Sequence, residues 1–181
     1  MLLLPSRPDY SDGMEERIID LVSDEHFMRE ALRQAARAAE VDEVPVGAVI
    51  VNEGRVIARA HNQVETLKDA TAHAEILAIT QASQVVNDWR LEGCSMYVTK
   101  EPCPMCAGAL VHARLARLVF GAPDFQGGGA GGLLNIVVHP GLNHRLEVSG
   151  GVRRKECAGL LRGFFAGKRR TSRERSDSKN P

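Results

Sequence analysis

Apolar residues recur in short blocks between residues 24 and 167, and their spacing switches between a helical and a strand period. Four Ala- and Leu-rich or apolar stretches predict helices: 24–39, 71–85, 103–112 and 154–165. Five short runs rich in β-branched residues predict strands: 46–51, 55–60, 95–99, 117–121 and 146–149. Asp24 is a suitable N-cap for the first helix, and Pro102 suits the start of the third.

The order of these elements indicates a layered fold. Asn52, Glu53 and Gly54 form a turn between the first two strands, which predicts a β-hairpin. The later strands alternate with apolar helices, so the pattern predicts an α/β fold with helices on both faces of a mixed sheet. Residues 126–132 are mostly glycine and are expected to form a loop.

Three parts follow from periodicity and composition. Residues 1–23 show little hydrophobic period and are expected to be a flexible N-terminal extension; residues 24–167 form one domain. Residues 168–181 are polar and basic, and are expected to be a disordered tail. The chain opens with an apolar run that Pro5 breaks, and no basic leader precedes it, so we expect no signal peptide, no membrane association and a cytoplasmic protein.

The charge of the chain is unevenly placed. The formal net charge is zero, but residues 1–43 carry 11 acidic and 5 basic groups, whereas residues 44–181 carry 18 basic and 12 acidic groups. The larger portion therefore has the sign that nucleic acid attracts, although such an asymmetry proves no partner by itself.

Four residues form a pattern that carries chemistry: His73, Glu75, Cys103 and Cys106. The two cysteines are three residues apart and share one face of a helix, whose N-terminus favours thiolates. With His73 they offer three N and S donors, the ligand count of a catalytic zinc site that activates water. Glu75 would lie beside that water and move protons.

Other interpretations of the same residues are available. Cys103 and Cys106 could form a redox pair, His73 could be a core histidine, and Glu75 could complement a helix dipole. A non-catalytic RNA-binding module with a structural zinc would need a fourth ligand, Cys94 or Cys157. Taken together, His-x-Glu followed about 30 residues later by Pro-Cys-x-x-Cys favours a deaminase, because this is the pattern of the zinc deaminases.

Beyond that motif, the chain resembles the bacterial tRNA adenosine deaminases over residues 26–165. The stretches that carry the resemblance are Glu43 to Ala48, Ala60 to Asn62, Thr71 to Glu75, Tyr97 to Thr99, Glu101 to Ala109, Val119 to Ala122 and His139 to Arg145. The resemblance implies a cytidine-deaminase-like three-layer α/β/α sandwich with a mainly five-stranded mixed sheet. It also implies one Zn²⁺ per subunit and a homodimer that grips a tRNA anticodon stem-loop.

The reaction that the resemblance implies is hydrolytic conversion of adenosine to inosine at the wobble position of an arginine tRNA, with Glu75 as the proton shuttle. The zinc deaminases also include enzymes that act on free nucleobases or nucleosides such as guanine or cytidine. The zinc motif alone leaves these substrates open. By the same resemblance seven residues would contact the substrate or its RNA: Asn62, Val44, Pro102, the backbone N–H of Ala74, Asp124, Asn143 and Phe165.

Overall fold

A sheet flanked by helices organises residues 23–177, the part of the chain that this computed structural model describes, with side chains described up to residue 171. The strands are β1 (Gly47–Asn52), β2 (Arg55–His61), β3 (Ser95–Lys100), β4 (Arg117–Ala122) and β5 (Glu147–Gly150). The helices are α1 (Asp24–Glu40), α2 (Val64–Leu67), α3 (Ala74–Val86), α4 (Pro104–His112) and α5 (Arg154–Asp177).

The five strands form one mixed sheet in the order β2-β1-β3-β4-β5. Strand β1 pairs antiparallel with both β2 and β3, while β3, β4 and β5 run parallel to one another. Parallel neighbours need a crossover connection: α4 and the chain around it connect β3 to β4, and residues 123–146 connect β4 to β5 without a helix. The mixed sheet is therefore confirmed.

Side chains alternate between the two faces of the sheet and build two cores. Ile50, Met96 and Leu118 pack with α3 and α4 on one face. Val49, Tyr97 and Val119 pack with α1 and α5 on the other. Because successive residues of a strand point to opposite faces, both faces are covered and the fold is a three-layer sandwich, as expected.

A glycine permits the close packing of α1 on the sheet. A Cβ placed on Gly47 would lie 2.1 Å from the carbonyl oxygen of Ala31 and 2.3 Å from the backbone nitrogen of Ala35. A larger residue would therefore push α1 off the strand. Residues 41–46 form the loop that follows α1 and lead into the site described below. The position of α1 on the sheet therefore determines where this loop begins.

The structure differs from the sequence-based expectations at several helix ends. Ser23, not Asp24, caps α1, because its hydroxyl accepts a hydrogen bond from the His26 backbone at 3.2 Å. The third long helix begins after Pro102, and Pro104 occupies its first turn, where proline is favoured. The short helix α2 was not expected.

The last helix also exceeds its predicted bounds. Helix α5 continues past residue 165 to Asp177, so residues 168–177 are helical where a disordered tail was expected. The expected flexible extension falls on residues 1–22, outside the described residues, apart from Ser23. Of the described helices, none combines the length and the apolar character that crossing a bilayer requires.

Candidate active site

Two helix starts bring the predicted metal ligands together. His73 precedes α3 and Cys103 precedes α4, and both have extended backbone, with ψ of 150° and 170°. The Nδ1 atom of His73 lies 3.6 Å from Sγ of Cys103 and 3.5 Å from Sγ of Cys106. Since His73 lies outside the regular helix, its side chain and that of Glu75 can face the same space, which an α-helical i, i+2 pair cannot do.

The three donors form a group that could hold a metal ion, with all ligand atoms within 4.8 Å of one another. In the described residues no fourth His, Cys, Asp or Glu joins this group. Cys94 is buried in the core beneath α3 and α4, and Cys157 is buried against Gly121 on the other side of the sheet. The fourth thiolate that a structural zinc module would need is therefore not among the described residues.

The electrostatics of the group favour a thiolate at Cys103. A hydrogen bond with Cys106, aided by His73, lowers the pKa of the Cys103 thiol to about 3. The same contact with Cys103 raises the pKa of His73. The hydrogen bond between the two cysteines also raises the pKa of the Cys106 thiol, so of the two it is Cys103 that is held as a thiolate, the form of cysteine that binds metals.

Glu75 lies in the first turn of α3, and its side chain is only 4% exposed. Burial raises the pKa of its carboxyl. It lines the same cavity as His73 and Cys103 and forms no salt bridge among the described residues. A buried carboxyl next to metal-binding donors is placed to exchange protons with a molecule held there.

The cavity in front of these residues has a volume of about 360 Å³. Six residues singled out from the sequence contribute to its wall: Val44, Asn62, His73, Glu75, Cys103 and Phe165. Seven further residues complete the wall: Glu43, Val46, Val64, Glu65, Lys100, Glu101 and Leu161. The wall thus combines apolar side chains with several polar and charged ones, which suits a flat heteroaromatic ring with polar edges.

Asn62 follows β2 directly and is buried beside Glu43. Its Nδ2 donates to Oε2 of Glu43 at 3.0 Å, and its backbone N–H donates to the Val46 carbonyl at 3.0 Å. The other carboxylate oxygen of Glu43 accepts the backbone N–H of Thr66 at 2.6 Å. Side chain and backbone of Asn62 are therefore both held in place at the cavity wall.

A second buried carboxylate, Glu101, organises the glycine-rich loop. Its oxygens accept backbone N–H groups of Asp124 at 2.8 Å, Ala130 at 3.0 Å and Gly132 at 2.7 Å. The loop returns to the metal-binding turn, where the Gly129 N–H donates to the Pro102 carbonyl at 2.7 Å. Residues 126–132 form no strand or helix, which agrees with the predicted loop.

The remaining predicted substrate contacts lie around the cavity rather than in its wall. Ala74 and Pro102 are buried beside the donors. Asp124 forms an ion pair with the cavity residue Lys100 and accepts the backbone N–H groups of residues 126 and 127. Asn143 is exposed, and both its backbone oxygen and its Oδ1 accept from Arg114 at 3.1 Å. Their contacts with a substrate stay predictions.

Sequence reasoning did not single out Glu43, Lys100 or Glu101, although all three line the cavity. A weak signal for two of them was present, because Glu43 and Glu101 directly precede apolar or proline-containing segments. Charged residues that become fully buried almost always have a specific partner. Their partners are backbone N–H groups of distant loops, which no local pattern reveals.

Comparison with known proteins agrees with this geometry. The model of the MafB19-like deaminase family matches residues 22–169, and a match of this extent makes the chain a deaminase of that class. The tRNA-specific adenosine deaminase of Bacillus subtilis (strain 168) is 50% identical over 145 residues, covering 80% of this chain and 90% of that protein. The chain belongs to the family of tRNA-specific adenosine deaminases.

Two solved structures have the same fold. One, from work on A-to-I editing by tRNA:A34 deaminases at the wobble position of transfer RNA, is 46% identical with a TM-score of 0.73, and covers 75% of this chain and 99% of its own. The other is a guanine deaminase from Nitrosomonas europaea, 25% identical with a TM-score of 0.70, covering 80% of this chain and 86% of its own. The fold is thus shared by deaminases that act on different purines.

Proposed function

We propose that this chain converts adenosine to inosine by hydrolysis at the wobble position of a tRNA, with the anticodon stem-loop of an arginine tRNA as its substrate. The observation that carries the proposal is the placement of buried Glu75 beside the His73 and Cys103 donors in one cavity. Adenosine is proposed as the substrate, rather than another nucleoside, because the relatives of this chain are named tRNA-specific adenosine deaminases. A tRNA substrate also supports a cytoplasmic location.

The donor set fits zinc, one ion per subunit. Zn–N bonds of about 2.1 Å and Zn–S bonds of about 2.3 Å in a tetrahedral arrangement separate the N and S atoms by about 3.6 Å. The distances from His73 Nδ1 to Cys103 Sγ and Cys106 Sγ are 3.6 and 3.5 Å. When bound by three protein ligands, zinc supplies a water molecule acidic enough to act as the nucleophile near neutral pH.

The residues of the chain supply binding and proton transfer. Val44 and Pro102 are the walls against the flipped adenine, Phe165 belongs to the RNA-binding surface, and Asn62 binds the nucleotide. Of these residues, Val44, Asn62 and Phe165 line the cavity. The backbone N–H of Ala74 faces the purine edge. Glu75 takes one proton from the attacking water and passes it to the ring nitrogen. It then takes the second proton from the hydroxyl now on the reacting carbon and passes it to the amino group, which leaves as ammonia while the carbonyl of inosine forms.

The anticodon loop is single-stranded, so its adenine can be turned into the cavity at less cost than a base in a duplex. Around the cavity, Asp124 lies near the sugar-phosphate of the loop and Asn143 on the RNA-binding surface. The basic residues of the C-terminal part of α5 add contacts to phosphates.

We also propose a homodimer. The segment 125–142 presents four large apolar side chains to solvent: Phe125, Leu133, Leu134 and Leu142. Apolar groups concentrated on one exposed segment are typical of a protein–protein contact, and a second copy of the chain is the partner that the family resemblance implies.

The test is inosine formation in an arginine-tRNA anticodon stem-loop, with free guanine and cytidine assayed in parallel. Wild-type protein should form inosine in the stem-loop and should leave the free compounds unchanged. Glu75→Gln should bind zinc as the wild type does and lose at least about 100-fold in rate, because it cannot carry protons. Turnover of guanine without inosine formation would instead assign the activity to a free nucleobase.

A further inference from the structure

Glu43 is a buried charge that the proposed reaction does not use. Its side chain is fully buried, and it forms no salt bridge among the described residues. Burying a carboxylate is costly unless hydrogen bonds compensate for the lost water. Hydrogen bonds from the Thr66 backbone at 2.6 Å and from Asn62 Nδ2 at 3.0 Å do so here, and each uses a different oxygen of the carboxylate. The Thr66 side chain and the Glu65 backbone add to this stabilisation.

The charge determines which way the amide of Asn62 points. An ionised carboxylate can only accept hydrogen bonds, so the amide must turn its NH₂ group toward Glu43. The Oδ1 atom of Asn62 then points away from Glu43. Among the described residues no donor forms a hydrogen bond with Oδ1. Oδ1 is also not among the side-chain atoms that are both fully buried and unpartnered, so it is accessible to a small molecule. Asn62 itself lines the cavity. Oδ1 is thus an acceptor available to a bound molecule.

We infer that Glu43 is a positioning residue, which locks Asn62 so that its Oδ1 accepts a hydrogen bond from an N–H or O–H group of the bound nucleotide. The inference rests on the proposed function and deepens it, because it assigns an orientation to a substrate contact. A neutral glutamine at position 43 would fill the same volume but could also donate a hydrogen bond. The Asn62 amide could then turn over and present its NH₂ group to the donor of the nucleotide.

A kinetic double-mutant cycle on the arginine-tRNA anticodon stem-loop tests the inference. Glu43→Gln should raise KM about tenfold and change kcat less than about twofold, since one hydrogen bond to the substrate is removed and Glu75 is untouched. Asn62→Ala should have the same effect. In the Asn62→Ala background, Glu43→Gln should change KM less than about twofold, because no amide remains to be oriented.

The matched control is Glu40→Gln, the same substitution at an exposed position of α1, which should leave KM and kcat unchanged. Effects on KM that multiply in the double variant would show that Glu43 acts only on the local structure, and would overturn the inference. If Glu43→Gln does not fold, Asn62→Ala alone provides the test. A wild-type KM in that variant would overturn the inference, because it would show that Oδ1 of Asn62 accepts no hydrogen bond from the nucleotide. Wild-type protein that forms no inosine would overturn the proposed function, and the inference with it.

Discussion

Arg117 of β4 holds Asp24 of α1 through two parallel hydrogen bonds. Nη1 lies 2.6 Å from Oδ1 and Nη2 lies 2.8 Å from Oδ2. The hydroxyl of Tyr97 donates to Oδ1 at 2.9 Å, and the pair is only partly exposed. This arrangement connects the first turn of α1 to strands β3 and β4 of the sheet.

The pair predicts a dependence of stability on pH. The hydrogen bond with Arg117 lowers the pKa of Asp24 below its ordinary value of 3.8. The folded state therefore gains stability above about pH 4, the pKa of an unfolded Asp, and loses it as pH falls through the lower folded value. Asp24→Asn should reduce the free energy of unfolding by about 1–2 kcal/mol at pH 7. Urea unfolding from pH 7 to pH 2.5 should show this difference shrinking as the pH falls below about 4.

Glu147→Gln is the control for that prediction, because Glu147 also binds Arg117, at 3.1 Å, but is 71% exposed. It should change the free energy of unfolding by less than about 0.5 kcal/mol, as exposed ion pairs do. A difference between Asp24→Asn and wild type that stays constant down to pH 2.5 would contradict the assigned role of the Asp24 charge.

The donors of the site were predictable because the residues that form them lie in short motifs at helix starts. His73 and Glu75 are two residues apart, and Cys103 and Cys106 are three apart, so local geometry nearly determines each pair. The strands were predictable for the same reason, since the period of two is local. The helix ends were less predictable from the sequence. Ser23 and Asp24 are adjacent, for example, and both residue types are good N-caps.

The supporting carboxylates could not be predicted in the same way. Glu101 is bound by N–H groups up to 31 residues further along the chain, and Glu43 by Asn62 and Thr66 on the far side of the hairpin. Only the folded loops bring these donors to the acids. The basic end of α5 is a similar case, because its composition is typical of a solvated tail while its backbone continues the helix.

Cysteine substitutions separate metal ligation from packing. Cys103→Ala should lose bound zinc and inosine formation together, because two donors do not hold the ion against dialysis as three do. Cys94→Ala, at a buried cysteine outside the donor group, should retain zinc and activity with a lower melting temperature. Zinc content per chain after dialysis is the measurement. Full zinc in Cys103→Ala, or its loss in Cys94→Ala, would exclude the proposed ligand set.

The basic residues in the C-terminal part of α5 should contribute to RNA affinity. Residues 168–177 include Lys168, Arg169, Arg170, Arg173 and Arg175. Replacing Arg169, Arg173 and Arg175 by Gln should weaken binding of the stem-loop and reduce the slope of log K against log salt by about 0.7 for each phosphate that is no longer neutralised. Filter binding from about 50 to about 300 mM salt measures this slope.

Arg55→Gln on β2 is the control. If the slope of log K against log salt is the same for this variant and for the α5 variant, the end of α5 does not contact phosphate.

The exposed apolar segment gives the last prediction. Leu133 is 57% exposed, Leu134 is 47% exposed and Phe125 is 69% exposed, all on the loop whose backbone Glu101 holds. If a second copy of the chain covers this surface, Leu133→Glu combined with Leu134→Glu places charges in an apolar contact and should convert the wild-type dimer to a monomer. Light scattering coupled to gel filtration measures the mass, and inosine formation should fall with it because the RNA surface would be incomplete. Val85→Glu is the matched control, since Val85 is 61% exposed on α3, outside the segment 125–142. A dimer that persists in the double variant would place the contact elsewhere, and a monomeric wild type would exclude it.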